Sequence, residues 1–188
     1  DTEYPENMDA APCLIPNEPG EIAPLEKVDT PDTKTIEDLC ALLKIKPQQT
    51  CKAVMYQRNQ VASIVMVFIR GDLAVNKTKL RNYLKTEVHP AVITEGSGIH
   101  AGFTGPIGLP EGVTVGYDRS LEGIEWFATG ACEEDKHYIG FNIARDIGKV
   151  DYVDVAKAID GGICPVCGKK SIYTSRGIEV GNIFQLGT

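Results

Sequence analysis

Apolar positions recur along this chain at two different periods. Ile36, Leu39, Cys40 and Leu43 follow helical spacing, and Thr35-Ile36-Glu37-Asp38 precedes them in the manner of a capping box, so an amphipathic helix is predicted over 35–44. Cys51 to Gln57 reads as a strand, Arg58-Asn59-Gln60 as a turn, and Val61 to Ile69 as a buried partner strand. That last run is nine residues including Ser63, the longest apolar stretch in the chain, and falls short of the ~20 a membrane span needs. Arg70-Gly71-Asp72 closes the hairpin; a turn after a strand is preferred to an integrin ligand in a chain without a secretory signal. Asn76 can cap a second helix, 77–85, with Leu80, Tyr83 and Leu84 inward and Lys77, Lys79, Arg81 and Lys85 outward. Strands are predicted near 113–118 and 138–143, with a short helical stretch near 120–128. Strands and short helices interleave, which indicates an α/β (α+β) domain with a mixed sheet.

Two regions lack such a pattern. Residues 1–32 hold six of the eleven prolines and read as a linker or extended arm. Residues 96–112 are rich in glycine. The formal net charge of −7 would by itself argue against a nucleic-acid partner. The acid excess is local, however: residues 1–38 carry eleven acids and two bases, leaving fifteen acids and seventeen bases in 39–188. The six cysteines do not demand disulfides. Cys40 sits on a helix stripe and Cys51 opens a strand, and no signal peptide is evident, so free thiols in a reducing cytoplasm are expected. The chain starts at Asp1 without an initiator Met and is expected to be one piece of a longer polypeptide.

Five features could carry chemistry. Alternation puts Lys52 on the same strand face as Val54 and Tyr56, either snorkelling to solvent or aimed as a cation into a pocket. Gly102-Phe103-Thr104-Gly105-Pro106 could present backbone N–H groups to a carboxylate, phosphate or oxyanion, or simply connect two elements. Asp118 ends a strand. His137 follows the acidic Glu133, Glu134 and Asp135 and is either an acid/base or merely solvated. Cys164-Pro165-Val166-Cys167-Gly168 is a single knuckle; structural zinc normally needs a second pair of ligands, so a tight turn is the plainer reading and zinc at Cys164 and Cys167 the lesser one. No P-loop, nucleophile elbow, HExxH or dinucleotide fingerprint is present.

Taken in order, several stretches resemble the insertion (editing) domain of bacterial-type prolyl-tRNA synthetase. They are Pro24 to Val28 leading to Thr35 to Leu39; Arg70-Gly71-Asp72 with Asn76; Gly102 to Leu109; Gly130-Ala131-Cys132 with His137 and Asn142 to Asp146; Cys164 to Gly168; and Arg176 to Thr188. The resemblance spans nearly the whole chain. It implies a YbaK-like mixed β-sheet with flanking helices. It divides the chain into 1–24, an acidic connection from the synthetase core; 25–170, the editing domain; and 171–188, a strand returning to the class II core, with both ends loosely held.

The activity implied is hydrolysis of mischarged alanyl-tRNA(Pro), with water attacking the ester assisted by a ribose hydroxyl and no protein nucleophile. Such a sieve is needed because a proline pocket rejects a smaller apolar amino acid by only ~1–3 kcal/mol. Lys52 matches the family's essential lysine, Gly102 to Pro106 (Gly102, Phe103, Thr104, Gly105, Pro106) its substrate loop, and Asp118 and His137 polar residues of the pocket. The resemblance implies no cofactor for editing, ATP and magnesium serving only the synthetase core. The implied partners are the tRNA(Pro) acceptor end and the rest of the synthetase chain, in the cytoplasm and without a membrane. Two departures stand out: Cys132 replaces the usual Asn after Gly-Ala, and Asn182 the usual His of the core strand. The first leaves room for the alternative of a catalytically silent insertion that positions the acceptor end or stabilises the core.

Overall fold

A computed structural model describes residues 8, 10–18, 20–59, 63–94 and 96–176. In chain order its elements are β1 (Glu26–Asp29), α1 (Ile36–Leu43), β2 (Thr50–Arg58), β3 (Ile64–Arg70), α2 (Lys77–Leu84), β4 (Val88–Pro90), β5 (Thr114–Asp118), β6 (Phe127–Gly130), β7 (Lys136–Phe141), α3 (Ile143–Asp146) and β8 (Tyr152–Val153). The strands form one mixed sheet in the order β1-β7-β6-β2-β3-β5-β8, and β4 pairs with β2. The fold is thus the α/β mixed sheet that the interleaved pattern predicts.

The β2–β3 hairpin is the centre of the sheet, with Cys51 opposite Arg70 and Gln57 opposite Ile64. Its alternation builds two cores. Cys51, Met66 and Phe68 join Phe127 and Phe141 on one face, with Ala53 and Met55 packed against them. Tyr56, Val65, Val67 and Ile69 join Leu80 and Val155 on the other. Being covered on both faces, β3 is apolar from Ile64 to Ile69 rather than alternating. Lys52 lies opposite Ile69, so it shares the second face, as its position in the strand predicts.

Both predicted helices form where their caps place them. The Thr35 hydroxyl accepts from the Asp38 N–H at 3.1 Å, and the Asn76 side chain accepts from the Thr78 and Lys79 N–H groups at 2.9 and 3.1 Å. Each cap satisfies donors that the first helical turn leaves unpaired. Tyr83, expected inward, is instead 48% exposed, because only Leu80 and Leu84 reach the sheet.

Other expectations need correction. The helical stretch near 120–128 is a 3₁₀ turn at Arg119–Leu121 followed by strand β6. The strand expected at 138–143 lies at 136–141 and gives way to α3. Residues 60–62, and the turn and strand start assigned to them, lie outside the described residues, as does 177–188.

The proline-rich arm is fastened rather than loose over 13–17. Leu14 and Ile163 exchange two backbone hydrogen bonds, at 2.9 and 2.7 Å. Cys13 is buried against Gly162, where any side chain would strike its sulfur. Arg70, itself buried, donates to both carboxylate oxygens of Asp72 (2.7 and 2.9 Å), to the Pro16 carbonyl (2.8 Å) and to Asn17 Oδ1 (2.6 Å). The Arg-Gly-Asp tripeptide is therefore an anchor for the incoming chain, which a guanidinium's planar fork of donors suits.

Candidate functional site

The site arises from a gap in the sheet. β6 runs parallel to β2 only at Thr50 and Cys51, and β4 pairs on that same edge only from Tyr56 to Arg58. The Thr129 hydroxyl takes the Cys51 carbonyl (2.9 Å) and the Ala91 N–H takes that of Met55 (3.0 Å). Both carbonyls face the gap, so alternation turns the Ala53 main chain to it as well, with no strand opposite among the described residues. A cleft of about 240 Å³ occupies this opening. Cys51, Lys52, Ala53 and Met55 form its floor; Ile36 and Leu39 of α1, Gly102 and Thr104, Thr129 and Gly130, and His137 form its walls.

The glycine loop is clamped to the end of β6. Cys132 N–H donates to the Phe103 carbonyl at 2.8 Å, and the Cys132 thiol donates to the Gly105 carbonyl at 3.2 Å. Gly105 passes so close to Gly130 that a Cβ there would meet the Gly130 carbonyl oxygen. Gly102 has φ +87°, and a side chain there would press on the Lys34 backbone at 2.9 Å, so this position requires glycine on two counts. Two of the loop's N–H groups are engaged internally, Phe103 with the His100 carbonyl (2.9 Å) and Gly105 with the Cys132 sulfur (3.5 Å). Gly102 and Thr104 line the cleft, and their N–H groups have no hydrogen-bond partner among the described residues. Cys132 itself sits at φ +54°, a conformation asparagine tolerates well, and its thiol serves to hold the loop.

His137 is not solvated among its acidic neighbours; it is 3% exposed. Its Nδ1 lies 2.6 Å from the Thr30 hydroxyl, and Phe103 meets the ring edge-on at 5.4 Å. Burial pulls its pKa down to about 4, while a hydrogen bond to the Gly102 backbone pulls the other way. The Gly102 backbone favours the protonated ring, so it meets the imidazole as an acceptor. His137 thereby ties β7 to the glycine loop and to the residue following β1. Thr30, fully buried, was assigned to the arm by the sequence pattern; a single threonine in a polar stretch gives no periodic signal.

Lys52 donates to the Gly71 carbonyl at 2.8 Å. Desolvation lowers its pKa, opposed by the charges of Asp72 and Glu37. It is therefore a half-buried cation at the cleft with donors left over. Cys51 also lines the cleft, but burial pushes its thiol up to about 12, so it stays protonated at neutral pH. Phe103, Gly105 and Pro106 support the loop without lining the cleft.

Asp118 is not brought to the cleft. It is 1% exposed, and its oxygens accept from the N–H groups of Ser120 (2.8 Å), Val155 and Ala156 (both 2.9 Å). Its position at a strand end is explained by this latch, which binds β5 to the segment after β8. Cys164 and Cys167 stand at the far end of the chain from the cleft residues, and no group of three or more metal-ligating side chains occurs among the described residues. No described helix is long and apolar enough to cross a membrane.

Lys52, His137, Gly102 and Thr104 thus come together at one cleft. A family model described as aminoacyl-tRNA editing domain matches residues 30–147, and the chain belongs to that family. Its curated relatives are proline–tRNA ligases. That of Persephonella marina is 43% identical over 173 residues and that of Thermotoga maritima 39% over 175, covering 90% and 91% of this chain. The chain spans about 30% of the length of each. Among solved structures, one provisionally described as a trans-editing enzyme for prolyl tRNA synthetase matches 69% of this chain and 86% of its own, with TM-score 0.57 and 14% identity. A hypothetical protein of known structure matches 71% and 92%, with TM-score 0.62 and 21% identity. At those identities the likeness establishes the shared fold alone.

Proposed function

We propose that this domain hydrolyses the ester of mischarged alanyl-tRNA(Pro) as part of a prolyl-tRNA synthetase. The observation that carries the reading is the cleft itself, where the β2 edge, the Lys52 ammonium and the free N–H groups of Gly102 and Thr104 converge on a space of about 240 Å³. Ile36, Leu39 and Met55 give it apolar walls suited to a methyl side chain. The unpaired Ala53 main chain offers an acceptor and a donor to the α-amino end of the aminoacyl group.

Water attacks the ester carbonyl carbon, and the negative charge that develops on its oxygen is met by the Gly102 and Thr104 N–H groups. The tetrahedral intermediate then collapses: the bond between the acyl carbon and the ribose oxygen breaks, the proton taken from the water passes to that ribose oxygen, and alanine leaves as the acid. No protein nucleophile takes part: the Cys51 thiol is protonated, and the Thr129 hydroxyl is committed to the Cys51 carbonyl. His137 does not act as base, since its Nδ1 is engaged with the Thr30 hydroxyl and burial disfavours its protonation. Its part is to hold the loop in register. The proton is instead removed with help from the neighbouring ribose hydroxyl of the terminal adenosine. Lys52 anchors the adenosine end as a point charge.

The test is hydrolysis of alanyl-tRNA(Pro) and prolyl-tRNA(Pro) by the chain. Loss of the alanyl ester with retention of the prolyl ester is expected. Equal loss of both, or of neither, contradicts the proposal; binding of a non-hydrolysable alanyl-adenosine without any turnover would point to a silent positioning module.

A further inference from the structure

The editing reaction makes no use of Cys164-Pro165-Val166-Cys167-Gly168. This segment is a tight turn at the tip of a small hairpin, in which Ile163 pairs with Lys170 and the Cys164 N–H donates to the Lys169 carbonyl at 2.9 Å. The Gly168 N–H closes the turn onto the Cys164 carbonyl at 2.8 Å, and Gly168 adopts φ +69°. Pro165 stiffens the first position of the turn. The first and fourth residues of such a turn, here Cys164 and Cys167, have Cα atoms closer than ~7 Å, a separation that overlaps the ~4.4–6.8 Å a disulfide bridges. Val166 at the tip is 91% exposed, and Cys167 is exposed with it.

We propose that Cys164 and Cys167 form a reversible dithiol–disulfide site that reacts with low-molecular-weight disulfides. The Cys167 thiolate attacks one sulfur of the small disulfide, forming a mixed disulfide and releasing one small thiol. Cys164, one turn away, then attacks the Cys167 sulfur, closes the intrachain bond and releases the second small thiol. The two protein thiols are oxidised, the small disulfide is reduced, and their two protons end on the released thiols.

The division of labour follows from the surroundings. Cys167 is held below the usual thiol range by the Lys169 backbone N–H and by the Cys164 thiol beside it, and Lys169 adds a favourable charge. The other cysteines are placed against this chemistry. Cys13 and Cys51 are buried, and burial raises the thiols of Cys40, Cys51 and Cys132. An exposed, low-pKa thiol next to a resolving partner is the arrangement that oxidises reversibly rather than to higher acids. With only two sulfur ligands and no third metal-binding side chain beside them among the described residues, the pair lacks the closed coordination of structural zinc.

The experiment is incubation of the reduced chain with oxidised glutathione near neutral pH, followed by intact-mass measurement and non-reducing peptide mapping. Wild type is expected to lose two hydrogens, mapped to a link between Cys164 and Cys167, and to recover them with a dithiol reductant. Cys164→Ser is expected to stop at a glutathione adduct on Cys167, forming at least ~10-fold faster than any adduct on Cys40 or Cys132. Cys167→Ser is expected to show no rapid adduct. A stable adduct on wild-type Cys167 without ring closure, preferential reaction at Cys40 or Cys132, or an inert Cys164→Ser would each overturn the proposal. So would purification of the chain with zinc held between two copies. Both serine variants alter exposed or half-exposed positions, and matching urea unfolding curves check that they fold.

Discussion

The state of His137 makes a quantitative prediction. Its ring titrates near 6.5 in the unfolded chain and at about 4 in the folded one, because burial disfavours the imidazolium. Between those values the unfolded chain binds more protons, so native stability is complete above about pH 6.5 and is lost as pH falls toward about 4. Going from about pH 7 to about pH 5, linkage assigns a loss of ~2 kcal/mol to this one ring. The window is clean on the acid side. The carboxylates held low by their partners, Asp29, Asp146 and Asp160, start from an ordinary value of 3.8, so their contributions fade only at lower pH. Urea unfolding followed through Trp126, the single tryptophan, would measure the effect at both pH values. His137→Gln keeps an amide that can hydrogen-bond but cannot titrate there. It is expected to be less stable than wild type at neutral pH and to lose ~2 kcal/mol less on acidification. His89 and His100 are common to both proteins and cancel in the difference. Parallel pH profiles for wild type and variant would refute the reasoning that His137 is held neutral by burial.

Other outcomes follow from neighbouring contacts. Gly102→Ala places a Cβ at positive φ, worth about 1–2 kcal/mol, and against the Lys34 backbone; both stability and alanyl ester hydrolysis should fall, and an unchanged variant would mean the loop is not held there. Lys52→Ala should lower alanyl-tRNA(Pro) hydrolysis on the order of a hundredfold with little change in the urea midpoint; a variant of full activity would remove Lys52 from the mechanism. Asp118→Ala leaves three buried N–H groups without their acceptor and should cost about 2–4 kcal/mol in unfolding, against a few tenths if the carboxylate were solvated. Cys132→Asn should preserve the loop, since Asn suits φ +54° and can offer a donor to Gly105, whereas Cys132→Val should lower hydrolysis.

The helices and central strands were legible because their signals are local. Thr35 and Asn76 cap helices from their own first turn, and the β2–β3 alternation fixes which way Lys52 points before any partner is known. β1, β4, α3 and β8 left no comparable trace. They are two to four residues long, too short for a period to repeat, and are set by what they pair with. The same reason hides Thr30 and misdirects the reading of Asp118. A polar residue's role depends on whether a distant segment brings it a ligand-facing cavity or a set of backbone donors. Asp118 receives the latter from Val155 and Ala156, 37 and 38 positions away.

By itself, then, the sequence determined the mixed α/β pattern, the two helix caps, the face of Lys52 and the ordered motifs that mark the editing family. Tertiary structure alone decided that β6 and β4 part along one edge of β2 to open a cleft. It also decided that His137 is buried and neutral rather than solvated in an acidic surface run. Both depend on contacts between distant segments, Cys51 with Thr129 for the cleft and Thr30 with His137 for the histidine, and desolvation is a property of the packed surroundings that no local pattern encodes.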